Sequence, residues 1–269
     1  MPSDAAVAIS AEPPRMEPDA SGLRGKTIDF PFRPQGARSK SLSYEGRIFV
    51  HEKALRAKGP LPLVVFFHGL NRALIPHRWM GGGDEGDVRK IVSELIESGA
   101  LPPMILAGPG SIEKDAVSHG ASFPSFDFDN FVTLVEKELE GTASVDRAKV
   151  VVTGHSGAGC SEKGGIVSAV NAKLRPHAVI SIDTCMPGTL AESLGAAHPD
   201  THVVVTWQTA TWDRNFAHFK ATFEKETAAH PSAKGVLREL DSLPNLPRSH
   251  DATVKQTFDK WLPRLLSAR

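Results

Sequence analysis

Residues Val150 to Gly159 read VVVTGHSGAG, and the chemistry this stretch offers is nucleophilic attack by the hydroxyl of Ser156. Three β-branched valines form a strand-like run. Small residues follow on both sides of the serine, and a helix-compatible segment comes next. In such a strand–turn–helix setting a serine is held at the tip of a sharp turn with its hydroxyl exposed. Glycine and alanine are required around it, because the strand and helix backbones approach too closely for larger side chains. A serine hydroxyl is a poor nucleophile at neutral pH. It needs a base within hydrogen-bond reach, and the base needs a carboxylate to orient it.

Strands and helices must position those groups, and the pattern supplies them in alternation. Thr27–Phe32 and Ser43–His51 read as strands that form an antiparallel opening. Leu63–Phe67, Ala178–Ile182 and Val203–Trp207 are short continuous apolar runs, as expected of strands buried on both faces. Met104–Ala107, the Val150 run and Val236–Leu240 complete a set of about eight. Between them, Val88–Glu97 and Phe128–Leu139 carry apolar residues at helical spacing. Further helices are expected after Ser156, near Leu190–Leu194, around Phe216, Phe219 and Phe223, and over Val254 to Leu262, with Pro263 bending or ending the last. This alternation predicts an α/β fold with a mostly parallel, about eight-stranded sheet covered by helices on both faces. Residues 1–22, rich in Pro, Ala, Ser and Glu, read as a disordered tail. Residues 23–269 read as one catalytic domain.

The serine turn resembles the nucleophile elbow of the α/β-hydrolase superfamily, in its members without a large cap. It matches Gly-x-Ser-x-Gly except that Ala158 holds the fifth position and the glycine follows at Gly159. The resemblance implies an order of serine, acid and histidine along the chain. His250 is then the base, since it follows the last predicted strand and precedes the last helix. Asp213, in the loop after Val203–Trp207, is the leading acid, with an N-cap of the following helix as its competing role. Asp183, at the end of Ala178–Ile182, is the alternative. The oxyanion hole is expected from the backbone N–H groups of Gly157 and of Leu70, the latter in His68-Gly69-Leu70-Asn71 after the Leu63–Phe67 strand. His68 and His155 read as structural residues beside that machinery.

The long loop Asn71–Gly86 should lie over the site, where Arg78 is a candidate for recognising an anionic substrate group and Trp79 for an apolar wall. Trp212 is a second candidate wall, and His119–Pro124 is expected near the mouth. Asp84, Glu85 and Asp87 match no metal-binding loop and read as acids at a helix N-terminus. The triple glycine Gly81–Gly83 lacks the ending of a phosphate loop. No metal or organic cofactor is expected.

Composition narrows the rest. Apolar residues make up 41% of the 269 and charged residues 23%, which suits a globular protein with a sizeable core. Lys plus Arg equals Asp plus Glu at 31 each, so no basic excess points to nucleic acid. No apolar run reaches the length of a membrane span, and the first residues lack the features of a secretory signal. Cys160 and Cys185 read as two reduced thiols in a cytoplasmic protein, with a bridge between them as the alternative. The expected activity is that of a serine hydrolase cleaving a carboxylic ester or related acyl bond of a small molecule through an acyl-enzyme. An amidase, peptidase or acyltransferase would use the same groups, and a non-catalytic ligand- or partner-binding protein of this fold is the reading of another class. A histidine base of ordinary pKa makes activity rise through roughly pH 6 to 7.

Overall fold

The structure is a computed structural model that describes residues 15–32, 45–110, 123, 126–209 and 216–267. Eight strands form one sheet: β1 (Gly25–Pro31), β2 (Glu45–His51), β3 (Leu61–Phe67), β4 (Ile105–Pro109), β5 (Val145–His155), β6 (Ala178–Ile182), β7 (His202–Trp207) and β8 (Arg238–Ser242). Their spatial order is β1-β2-β4-β3-β5-β6-β7-β8. β1 and β2 pair antiparallel, and β2 runs antiparallel to β4. The remaining pairs are parallel. The antiparallel opening and the mostly parallel sheet agree with the sequence pattern.

The central strands are apolar on both faces because helices cover both. Side chains alternate across a strand. Leu63, Val65 and Phe67 therefore join Val150, Val152, Val203 and Val205 in one core, together with helices α3 (Phe128–Glu138), α4 (Gly165–Val170), α5 (Gly188–Gly195) and α6 (Phe216–Ala229). Val64, Phe66, Val151 and Val204 point the other way and meet α2 (Val88–Glu97) and α7 (Ser249–Leu266). A short helix α1 (Glu52–Leu55) follows β2.

Three expectations need adjustment. No long helix starts at Ser156: Ser156–Gly159 is a single 3₁₀ turn, and α4 begins only at Gly165. The segment is glycine-rich and so a poor helix former, and it is tied down by a disulfide between Cys160 and Cys185 whose Cα atoms lie 5.2 Å apart. The two cysteines are therefore not reduced thiols. Pro263 does not end α7, which runs on to Leu266. A proline inside a helix costs about 3 kcal/mol, but continuing buries Leu265 and Leu266, each worth roughly 1.5–3 kcal/mol. Finally, the last strand lies at Arg238–Ser242, two residues later than its pattern suggested. It is a half-exposed edge strand, where an apolar run is a poor marker of pairing.

Candidate active site

Parallel strands deliver their C-terminal ends to one edge of the sheet, and that edge collects the chemistry. β5 ends at His155, and Ser156 takes the next position with φ 55°. A non-glycine residue in the left-handed region is strained, and the strain turns the serine out of the strand direction at the head of the 3₁₀ turn. β6 lies beside β5, with Ile182 opposite His155 in register. Asp183 therefore emerges next to Ser156, and it too has a positive φ of 46°. The loop after β3 passes close by. A Cβ added to Gly69 would lie 2.7 Å from the Ser156 Cβ and 3.1 Å from its Oγ, so only glycine lets the backbone of this loop run beside the hydroxyl.

Asp183 is fully buried. Burying a carboxylate is costly unless it is paired and hydrogen-bonded, and Asp183 is both. Its Oδ1 accepts from the Gln208 backbone N–H at 3.0 Å, and its Oδ2 lies 2.7 Å from His250 Nδ1. His250 occupies the first turn of α7 rather than the loop before it. With Nδ1–H donated to Asp183, Nε2 is the ring nitrogen that carries the lone pair. The carboxylate on His250 is thus Asp183, the alternative acid. Asp213 and Trp212 lie outside the described residues.

His155 holds His250 from below. Its ring lies against that of His250, with centroids 4.3 Å apart and planes at 33°, and its Nε2–H donates to the His250 carbonyl at 3.0 Å. That bond fixes the tautomer, and the other nitrogen, Nδ1, is buried with no hydrogen-bond partner among the described residues. Burial, and then the neighbouring His250, lower the His155 pKa to about 3. The ring is neutral wherever the protein is folded near neutral pH. His68 behaves similarly: burial lowers its pKa to about 4, against the opposing bond of Nδ1 to the Gly69 carbonyl at 2.6 Å.

Other expected site residues find more specific places. Arg78 is paired with Glu85 through two contacts of 2.5 and 2.6 Å, so its charge is already answered within the loop. Trp79 is buried; its ring lies 6.2 Å from Phe66 and meets His155 edge-on at 5.5 Å. It backs the histidine from the core. Asp87 caps α2 by accepting from the Arg89 N–H and also pairs with the Arg89 side chain, as the reading of a helix-terminal acid required. Of the segment His119–Pro124 only Phe123 is described; it is buried and lies 4.9 Å from the His68 ring. Asp251, which the sequence reading passed over, sits beside His250 with its pKa raised, chiefly by burial. Leu70 and Gly157 stand on the loop and turn that flank Ser156. Among the described residues no three His, Cys, Asp or Glu side chains form a metal-binding group, and no helix is long and apolar enough to cross a membrane.

No protein-family description matches the chain, and no curated protein matches it. Solved structures do. A ferulic acid esterase superposes with a TM-score of 0.65 at 13% identity, over 91% of this chain and 98% of its own. A feruloyl esterase module from Clostridium thermocellum, complexed with sinapinate, gives 0.60 at 11% identity over 89% and 87%. An S-formylglutathione hydrolase from Agrobacterium tumefaciens gives 0.55 at 14% identity over 90% and 96%. With the eight-stranded order above, these likenesses show that the chain has the α/β-hydrolase fold.

Proposed function

We propose that the protein is a serine hydrolase that cleaves a carboxylic ester of a small molecule through an acyl-enzyme. The observation that carries this reading is the 2.7 Å hydrogen bond between His250 and the fully buried Asp183, set beside a strained serine. Ser156 attacks the acyl carbon while His250 Nε2 takes its proton. Asp183 fixes the histidine tautomer and stabilises the imidazolium. The N–H groups of Leu70 and Gly157 receive the developing oxyanion. His250 then protonates the leaving alcohol, and water releases the acyl group by the reverse path. The esterase names among the structural likenesses favour an ester over an amide. The domain is taken as residues 23–269, with 1–22 as a tail. No step calls for a metal, a nucleic acid or a membrane span. The Cys160–Cys185 bond favours an oxidising compartment over the cytoplasm, because such bonds persist where thiols are not kept reduced.

The test is labelling with a small fluorophosphonate, read by intact mass and peptide mapping, on the native chain and on Ser156→Ala. One adduct, on Ser156 and absent from the variant, is expected. A folded native chain that takes no label would sink the proposal. Matched ester and amide panels, feruloyl esters included, then set the leaving group.

A further inference from the structure

The edge of the sheet opposite Ser156 holds a cavity of about 460 Å³ whose polar lining is dominated by basic groups: Lys149, His177, His202, Lys234 and Arg264. Among the described residues no acidic side chain lines it. These residues come from separate elements. Lys149 lies in the first half of β5, His177 immediately precedes β6, and His202 opens β7. Lys234 stands in the turn before β8, where Gly235 has φ +85°. Arg264 belongs to the last turn of α7, its guanidinium 5.0 Å from the Trp261 ring.

The backbone fixes the two imidazoles. His177 Nε2 donates to the Leu265 carbonyl at 3.0 Å, His202 Nδ1 accepts from the Leu237 N–H at 3.0 Å, and the rings meet edge-on at 5.0 Å. Lys149, Lys234 and Arg264 form no ion pair among the described residues. The negative end of the α7 dipole gives a structural reason for Arg264 alone, and it does not account for lysines on two other elements. The chain as a whole has no net charge, so three cations with no ion pair or acidic neighbour in the cavity lining among the described residues are a local excess.

We propose that this cavity is a binding site for a small phosphorylated molecule. The cations supply charge-assisted donors for the phosphoryl oxygens. The volume exceeds what a lone phosphate needs and falls in the range of small-molecule sites, about 300–1,000 Å³. Leu237, Leu265 and Leu266 give the remainder of such a ligand an apolar wall. The site is independent of ester hydrolysis. From Val150 to Ser156 the strand climbs roughly 20 Å, so a ligand here does not compete with one at the serine.

Pyrophosphate is the probe, titrated calorimetrically into the full chain at low ionic strength. We expect saturable binding with one ligand per chain, unchanged in Ser156→Ala. In Lys149→Gln/Lys234→Gln the affinity should fall at least about tenfold, because two charge-assisted contacts are lost. Both lysines are exposed, and an unchanged melting temperature confirms that the variant folds. Arg264→Gln provides a second, independent loss. No saturable binding below about 10 mM, or binding that survives both variants, overturns the proposal.

Discussion

Two of the contacts of His250, with Asp183 and with His155, each predict a different loss. Asp183 sets which nitrogen carries the proton, so Asp183→Asn keeps the shape and removes the tautomer control. We expect kcat to fall about 10³–10⁴-fold, the size known for such a change in a serine triad, whereas Asp213→Asn stays within a few-fold of the native rate. Equal losses in the two variants would mean that the acid has been wrongly assigned. His155 acts through position instead. His155→Phe keeps a ring against His250 but loses the bond to its carbonyl, and a hydrogen bond is worth about 1–1.5 kcal/mol. Steady-state kinetics should show kcat down about tenfold with KM little changed. The sequence made the turn at Ser156 legible because its setting is local: valines, glycines and alanine within ten residues. It could not rank the acids, because β6 and β7 are neighbours and both strand ends open on the same edge. One signal was present. Asp183 directly follows the continuously buried strand Ala178–Ile182, and a carboxylate there must find a partner or shift its charge.

At the scale of elements, the disulfide joins the turn that carries Ser156 to the loop that carries Asp183. Cys160 and Cys185 are 25 positions apart, and closing a loop of that length stabilises by about 3 kcal/mol in the chain-entropy picture. Cys160→Ala/Cys185→Ala should lose about that much unfolding free energy, read as a lower denaturant midpoint, and a midpoint that does not move would show that the bond constrains nothing. Close packing seals the same junction: a Cβ on Gly159 would meet Thr184 at 2.7 Å. The strands were legible because both faces are buried and apolarity is therefore continuous. Two of the adjusted expectations, a helix starting at Ser156 and an end of α7 at Pro263, are decided by tertiary contacts, namely the disulfide and the burial of Leu265 and Leu266. No periodicity encodes those.

For the whole molecule, the buried neutral histidines set the acid limit. His155 and His68 have folded pKa values of about 3 and about 4, below the unfolded value of about 6.5. Between those limits the unfolded chain binds protons that the folded chain refuses, so stability rises with pH and is lost as pH falls below about 6.5. With both groups in this regime the slope is about 2.7 kcal/mol per pH unit, and His51 and His77, whose pKa values burial also lowers, act in the same direction. Urea unfolding from pH 7 to 5 measures it. His155→Phe should flatten the slope by roughly half of that two-histidine value, and a profile that is flat in the native chain would contradict the burial of these rings. The placement of α7 has a consequence in time. It carries His250 at one end and lies across β6 and β7 through Val254, Phe258 and Leu262, so the base meets its carboxylate only when a helix distant in sequence has docked. Non-local contacts of this kind form slowly. In a refolding experiment the far-ultraviolet signal of the sheet should return first, and turnover should return later, at the rate of that docking.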